Sequence, residues 1–161
     1  MIQRIQSLFL LGAALCFGVA CFMPIGMVNV REMSFIYSPW VLMQDNLTVV
    51  IQQTYYVGLS LVILAATSFA AIFFYKNRTL QSKICTAAII ISFILLILML
   101  YVYPDVVFPK LLDVDKVNIE YYGKGQFPWV FLSFIPLIFL YLANKFILKD
   151  EKKVRAADRL R

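Results

Sequence analysis

Four long apolar runs dominate the pattern of hydrophobic and polar positions along this chain. The clearest covers residues 84–103, which contain no charged residue and in which only Thr86 and Ser92 interrupt the apolar sequence. A helix of about 20 residues spans the roughly 30 Å hydrocarbon core of a bilayer. A helix in a soluble core would carry a polar stripe, which this run lacks. The run is therefore predicted to cross a membrane.

Three further runs have the length of a membrane span, namely residues 2–23, 54–75 and 128–148. We therefore predict an all-α membrane protein in which four transmembrane helices form an antiparallel bundle, with small extracytoplasmic loops that contain β-strands. Residues 1–161 are one integral membrane domain, and residues 149–161 are its basic tail. The 62% of hydrophobic residues and the mean hydropathy of +0.82 agree with a multi-pass protein.

The first run has a second interpretation, as a cleaved signal sequence. A positively charged start precedes the apolar residues, and residues 18–21, Gly-Val-Ala-Cys, resemble a lipoprotein cleavage site with Gly in place of the usual Leu. The run is long for a signal peptide, however, and Phe22 and Met23 would make a poor solvated tether. We favour an uncleaved span, and lipidation of Cys21 would instead leave three spans.

Two segments between the runs alternate polar and apolar residues as β-strands do. Residues 27–37 alternate up to Ser38 and Pro39, and residues 116–122 alternate up to Gly123. Neither strand satisfies its backbone hydrogen-bonding groups alone, and a two-stranded ribbon is marginal in water. We therefore predict that the two strands pair outside the membrane and rest on the helix ends or on a partner.

The second span is predicted to extend beyond the membrane. Residues 47–75 follow one helical pattern, and Asp45 or Asn46 is placed to cap its N-terminus. Of this helix, residues 54–75 have the length that lies in lipid.

Small residues and one proline predict how the helices pack. Small side chains recur every fourth residue in the first span, and the second span offers a complementary small face. These helix-packing residues are Gly12, Cys16, Ala20, Ala66 and Ala70. Pro136 lies near the middle of the last predicted span, where it should kink the helix and leave a carbonyl in need of a partner.

The basic residues predict the orientation of the chain. Of the 15 Lys and Arg residues, eleven lie at the N-terminus, in the turn at residues 76–83 and from Lys145 onward, whereas four lie in the two long exposed segments. The positive-inside rule then puts both termini in the cytoplasm and both strand-bearing segments outside it. These flanking positions explain the net charge of +6, so no nucleic-acid partner is expected.

The chain offers few groups for catalysis or for holding a cofactor. It has no histidine, and Cys16, Cys21 and Cys85 lack the spacing of a zinc, haem or iron–sulfur site. The central parts of the spans carry no charge for a proton relay. The acidic residues of the outer segments are interpreted as solvated loop charges: Asp105, Asp113, Asp115 and Glu120. We expect no catalytic residue, no cofactor and no metal.

The charged tail is predicted to continue the last helix, because residues 149–161 contain no Gly or Pro. Glu151 with Arg155 and Asp150 with Lys153 have the spacing of weakly stabilising helical pairs. An apolar stripe beside basic residues suits either anionic lipid or the groove of a partner: Lys153, Val154, Arg155, Ala157, Arg159, Leu160 and Arg161. The interspersed acidic residues favour a protein partner, and the simpler alternative is a tail that only sets topology.

Both ends of the chain resemble a known family. The initial MIQRIQSLFLL and the final DEKKVRAADRLR are similar to the terminal signatures of domain of unknown function 4293 (DUF4293), a family of four-span membrane proteins common in Bacteroidetes. The resemblance extends over the whole chain and includes residues 22–24, Phe-Met-Pro, and the basic turn between the second and third spans. It implies location and architecture and assigns no catalytic residue.

Two classes of function remain. We favour a non-enzymatic accessory or assembly subunit of a bacterial inner-membrane complex, which docks on a membrane-protein partner or on its own copies within the lipid bilayer. It would dock through helix faces, outer loops and the charged tail. The alternative is a carrier or enzyme that handles a lipid or small molecule near the Pro136 kink and the neighbouring hydroxyl groups.

Overall fold

The computed structural model describes residues 2–30, 33–44, 50–112, 117–120 and 132–159. Over these residues the chain is mostly helical, with one antiparallel sheet. The helices are α1 (Ile2–Ala20), α2 (Tyr55–Phe73), α3 (Arg78–Ile97), α4 (Phe108–Leu112) and α5 (Ile135–Arg159). The strands are β1 (Gly26–Val30), β2 (Met33–Tyr37), β3 (Val41–Gln44), β4 (Val50–Gln53) and β5 (Asn118–Glu120).

The four long helices pack side by side in a closed order, in which α1 and α3 each contact both α2 and α5. A short 3₁₀ turn, Phe74–Lys76, joins α2 to α3. The buried residues of α1 recur at helical spacing and face this shared interior: Gln6, Leu10, Ala13, Phe17 and Ala20. One apolar core cluster therefore continues from the helices into the sheet.

The sheet has the strand order β4-β3-β2-β1-β5, with every pair antiparallel. Val28 of β1 lies opposite Phe35 of β2 on one side and Ile119 of β5 on the other. The predicted pairing of the two outer segments is confirmed. The prediction of one strand over residues 27–37 is wrong, because residues 26–30 and 33–37 form two strands, β1 and β2, that pair with each other antiparallel.

The predicted helical start of the second span is also wrong. Val50–Gln53 is strand β4, and α2 begins only at Tyr55. The β-branched Val50 and Ile51 suit a strand, and Val50 lies opposite Met43 of β3. The predicted cap residues, Asp45 and Asn46, lie outside the described residues.

Pro104 does not end the third helix, although we expected the span to stop at Tyr103. The chain continues through a π-helical segment, Leu98–Val107, into α4, and Pro104 is buried within it. Proline lacks an N–H and its ring collides with the carbonyl four residues earlier in an α-helix. The wider π-helical turns relieve the collision, while the missing N–H still leaves one carbonyl without a helical donor, and the helical path continues from Arg78 to Leu112.

Pro136 makes no kink, which corrects another prediction. It is the second residue of α5, where the missing proline N–H would have no partner in the helix in any case. The predicted opening of this span at Pro128 lies outside the described residues. At its other end α5 continues to Arg159, so the prediction of a helical tail is confirmed as far as that residue.

The packed face of α2 is not the predicted one. Val57, Leu61 and Leu64 are buried, whereas Ala66 and Ala70 are exposed and do not pack against α1. Both faces of this helix are apolar, so residue size alone did not indicate the inner one. The larger leucine side chains fill the interior, where each makes more van der Waals contacts than an alanine would.

Candidate docking surfaces at the two ends of the helices

The two ends of the helices are built differently, and we name them after their covering elements. The sheet end comprises the five-stranded sheet, α4 and the adjoining ends of α1, α2 and α3. The turn end comprises the 3₁₀ turn Phe74–Lys76, the start of α3 and the second half of α5.

At the sheet end, the turn between β2 and β3 is hydrogen-bonded to the start of α2. The Thr54 N–H donates to the Trp40 carbonyl at 2.8 Å, and the Gly58 N–H donates to the Pro39 carbonyl at 2.9 Å. The Thr54 hydroxyl also donates to the Ser38 carbonyl at 2.9 Å. These bonds satisfy N–H groups that the first turn of a helix leaves without intrahelical partners. Residues 38–40 therefore act as a structural cap on α2.

Trp40 links this cap to both neighbouring helices. Its indole Nε1 donates to the Cys21 carbonyl just after α1, at 2.7 Å. Its ring lies directly on Gly58 of α2, where an added Cβ would be only 2.6 Å from the indole. Only a residue without a side chain permits this approach. The contact holds the β2–β3 turn against α1 and α2 at once.

Tyr37 is the centre of the packing beneath the sheet. The ring is fully buried and meets Phe108 of α4 edge-on, with centroids 4.9 Å apart at 84°. The ring centroid of Tyr103, in the π-helical segment, lies 6.0 Å from that of Tyr37 and 5.9 Å from that of Phe108. Aromatic pairs in this geometry add to the stabilisation from apolar burial. The unbroken path of α3 through Pro104 thus brings two aromatic rings under the sheet.

At the turn end, side chains rather than sheet strands join the helices. Asn77 caps α3, because its Oδ1 accepts from the Leu80 N–H at 3.3 Å and from the Thr79 hydroxyl at 2.8 Å. Arg78 Nη1 lies 3.1 Å from Asp150 Oδ2 and donates to the Asp150 carbonyl at 3.4 Å. Asp150 therefore pairs across helices with Arg78, where we had expected a pair with Lys153 on its own helix.

A small polar network lies just inside the turn end, between α3 and α5. The Ser82 hydroxyl donates to Asn144 Oδ1 at 2.7 Å, and Asn144 Nδ2 donates to the Thr86 hydroxyl at 3.1 Å. Gln81 Nε2 donates to the Ala71 carbonyl of α2 at 3.0 Å. Buried polar groups are stabilising only when they are paired, and these bonds specify how α2, α3 and α5 meet.

An open depression of about 630 Å³ lies on the surface of the turn end. It lies between the α2–α3 turn and the tail portion of α5. It is lined by polar, basic and apolar groups of these residues: Tyr75, Lys76, Asn77, Arg78, Thr79 and Val154. Among the residues of the predicted tail stripe whose side chains are described, Val154 lines this depression.

The sides of the helices, in contrast to their ends, are apolar and outward-facing. By length and composition, two helical stretches, Tyr55–Lys76 and Arg78–Leu112, suffice to cross a membrane, and Ile5–Ala20 is apolar but shorter. In the apolar 18-residue window of each long stretch, only 33% of the residues are buried within the protein. A soluble core helix would be mostly buried, and a large exposed apolar surface marks contact with lipid or with another protein.

The hydroxyl groups inside the apolar helices bond to their own helix. Ser68 donates to the Leu64 carbonyl at 2.7 Å, and Ser92 donates to the Ala88 carbonyl at 2.6 Å. Ser60 donates to the carbonyls of the preceding turn in the same way. This is the usual arrangement of serine in an apolar helix, and these hydroxyls are already used in it.

The predicted packing residues outside α2 have mixed outcomes. Gly12 lies against α5, where an added Cβ would be 3.0 Å from the Phe139 ring. Ala20 is buried, Cys16 is half-buried, and Pro136 is buried in the first turn of α5. Gly12 therefore permits close approach by α5, and Ala20 belongs to the buried stripe of α1.

Of the predicted tail residues, Val154 lines the depression and Lys153 is exposed on α5. The others contribute no described side chain: Arg155, Ala157, Arg159, Leu160 and Arg161. Within the described residues, no group of three or more His, Cys, Asp or Glu side chains is placed to hold a metal.

Sequence reasoning missed the residues that join the elements. Trp40 and Gly58 are separated along the chain, and no local pattern marks their contact. Arg78 and Asp150 are 72 positions apart. The one available signal was Ser38 and Pro39, which indicated a turn but not its partner helix.

The family model described as Domain of unknown function (DUF4293) matches residues 2–160. The chain belongs to this family. The match covers both helix ends and every residue described above, and the resemblance of the terminal sequences is thereby confirmed. No curated protein and no solved structure matches the chain.

Proposed function

We propose that this DUF4293 chain is a four-span protein of the bacterial inner membrane, with both termini and the turn end in the cytoplasm. In this proposal α2 and α3 form the two central spans, and α1 and the first part of α5 form the other two. The apolar sides of α2 and α3 support it. So do Lys76, Arg78 and Lys83, which lie together at the turn end as the positive-inside rule requires.

Within the membrane, the protein acts as an accessory or assembly subunit that docks on another membrane protein. The observation that carries this proposal is the attachment of the sheet to the helix ends through Trp40, Thr54 and Gly58. This attachment makes the sheet a rigid surface outside the lipid. Among the described strands, β4 and β5 are its edges, and an edge strand is a template for a strand of a partner.

Two further surfaces support docking. The exposed Ala66 and Ala70 on α2 would let a partner helix approach closely, as small residues do in membrane helix pairs. On the tail, Lys153 and Val154 are exposed beside the α2–α3 turn. Each of these surfaces faces away from the chain's own core.

The geometry gives less support to a carrier or enzyme. That alternative placed its site at a kink in the middle of the last span, and Pro136 lies instead in the first turn of α5. The hydroxyls of Ser68 and Ser92, which would have lined such a site, bond to carbonyls of their own helices. We therefore favour a docking subunit over a carrier or an enzyme.

Reporter fusions test the membrane arrangement. Alkaline phosphatase should be active when fused after Ser38 or Asn118, which lie at the sheet end, and inactive after Arg161. The enzyme folds only outside the cytoplasm, so the opposite pattern would overturn the proposed orientation. If the fusions after Ser38 and Asn118 were active as expected but the fusion after Arg161 were active too, the fourth span would be contradicted.

The docking role is tested by shortening the tail without breaking its ion pair. A chain that stops after Glu151 retains Asp150 for Arg78 and retains Lys145 and Lys149 for topology. Membrane complexes recovered by gentle solubilisation and native mass spectrometry should contain less of the partner protein than those of the full chain. Equal recovery at equal expression would refute docking by the tail, and a lipid or quinone at fixed stoichiometry would favour the alternative.

A further inference from the structure

We propose that the depression at the turn end binds the phosphate group of an anionic phospholipid. The inference rests on the proposed membrane arrangement, because it needs the turn end to lie at the lipid headgroups. It adds a lipid ligand at a surface that shares Lys153 and Val154 with the proposed tail docking surface.

The shape is held by contacts that the protein makes on either side of the depression. The α2–α3 turn is fixed by the Asn77 cap, and α5 is tied to it by the Arg78–Asp150 ion pair. These bonds hold Val154 opposite the turn and leave an open volume of about 630 Å³ between them. The depression is thus a product of two helices that meet, and neither helix forms it alone.

The charge of the lining favours an anion. Lys76 and Arg78 contribute two cations, and the residues that line the depression, as the structure describes them, include no carboxylate. Asp150 balances part of the Arg78 charge from outside the lining. Lys152 and Lys153 are exposed on α5 next to Val154 and add two positive charges, and the partly buried Glu151 on the same helix offsets one of them. Anionic headgroups are attracted to such clusters of basic residues.

The lining also has hydrogen-bond donors for which no described residue is an acceptor. Lys76 has no ion partner among the described residues. Both bonds to the Asn77 side chain end on Oδ1, so within the described part of the chain its Nδ2 keeps two N–H donors. Phosphate oxygens accept from ammonium and amide donors of this kind. The donor set therefore matches a phosphate group.

The position of the depression favours a lipid over a free anion. Phe73 and Phe74 at the end of α2 and Leu80 at the start of α3 are exposed apolar side chains on both sides of the turn. A phospholipid bound here places its phosphate on the basic lining and its acyl chains on the apolar surface. A free phosphate would use only the first of these contacts.

The test measures lipid binding to the purified full chain by native mass spectrometry. The protein in detergent is titrated with phosphatidylglycerol, with zwitterionic phosphatidylethanolamine, and with phosphatidylglycerol in the presence of inorganic phosphate. Lys76→Gln should weaken phosphatidylglycerol binding about fivefold, because one basic residue near a membrane surface contributes about 1 kcal/mol. Binding of phosphatidylethanolamine should be weaker than that of phosphatidylglycerol and should not change.

A charge placed inside the depression is compared with the same charge placed outside it. Val154→Glu puts a carboxylate in the lining and should weaken phosphatidylglycerol binding by about tenfold. Ala156→Glu makes the same change in charge on the exposed part of the same helix, roughly 200° around its axis, and should leave binding nearly unchanged. All three positions are on the surface, and matched melting temperatures would establish that the variants fold.

The outcomes separate the proposal from its competitors. Weaker phosphatidylglycerol binding by Val154→Glu and Lys76→Gln, with binding by Ala156→Glu nearly unchanged, supports the site. If Ala156→Glu weakened phosphatidylglycerol binding as much as Val154→Glu does, the surface would be only diffusely basic and the proposed site would be overturned. Equal affinity for phosphatidylglycerol and phosphatidylethanolamine would also overturn the site. Full competition by millimolar inorganic phosphate would overturn the lipid assignment in favour of a free anion. Since the assay contains no partner protein, none of these results bears on the docking role.

Discussion

The sheet end and the turn end cover the same set of helices by different means. At the sheet end, Trp40 and Thr54 bond to backbone groups of distant elements, and Tyr37 is fully buried beneath the strands. At the turn end, a short 3₁₀ turn suffices, and the helices are joined by polar side chains such as the Arg78–Asp150 pair. The sheet end combines backbone hydrogen bonds with buried aromatic packing, whereas polar and charged side chains join the helices at the turn end.

This difference indicates how each end responds to change. Burial of a large aromatic ring contributes several kcal/mol, whereas a partly exposed ion pair contributes about 1 kcal/mol or less. Substitutions at the sheet end should therefore affect folding, and substitutions at the turn end should affect what binds there.

Tyr37→Ala should destabilise the protein most, by about 3 to 5 kcal/mol, because it removes a fully buried ring and leaves a cavity against Phe108. Tyr75→Ala at the turn end is the matched control, because that ring is 49% exposed and its removal should cost about 0.5 kcal/mol or less. Thermal unfolding in detergent measures both. Similar losses for the two variants would show that the ends do not differ as we describe.

Gly58→Ala should destabilise by about 1 to 3 kcal/mol, because the new Cβ collides with the Trp40 indole and displaces the cap on α2. Gly18→Ala is its control, because an added Cβ there meets nothing within 4 Å. That variant should be neutral or stabilised by up to about 1 kcal/mol through helix propensity. Amide hydrogen exchange of β2 and β3 should accelerate in Gly58→Ala alone, and unchanged exchange would contradict the role of the cap.

The Arg78–Asp150 pair should contribute the least, about 0.5 to 1 kcal/mol, because both side chains are partly exposed, at 24% and 14%. A double-mutant cycle with Arg78→Gln and Asp150→Asn isolates this coupling energy. The coupling should fall as salt is raised from 0.05 to about 0.5 M, since the exposed charges are screened. A coupling above about 3 kcal/mol would mean that the turn end is as strongly fixed as the sheet end.

Much of the helical architecture follows from sequence alone, because the length of an uninterrupted apolar run is a local property. The runs at residues 54–75 and 84–103 correspond to α2 and to the long path from Arg78 to Leu112. The pairing of β1 with β5 was also predictable, since each segment alternates and neither satisfies its backbone alone. The helical tail followed from the absence of Gly and Pro in residues 149–161.

The roles of the prolines needed the structure, because one residue type has different effects at different places in a helix. From the sequence, Pro104 predicts the end of a helix, yet a π-helical segment accommodates it. Pro136 reads as a kink, yet a helix that begins at Ile135 makes it an ordinary first-turn residue. The strand at Val50–Gln53 was hidden for a similar reason, since a short apolar stretch does not distinguish a strand from the start of a helix.

Only the tertiary structure determined which helix faces are buried and which distant residues are in contact. A helix that is apolar on all sides carries no polar stripe to mark its outer face, so the exposure of Ala66 and Ala70 was not predictable. The sites at both ends depend on contacts between residues far apart in the chain, such as Trp40 with Gly58 and Arg78 with Asp150. Local sequence determines which elements form, and the packing of those elements determines which side chains meet.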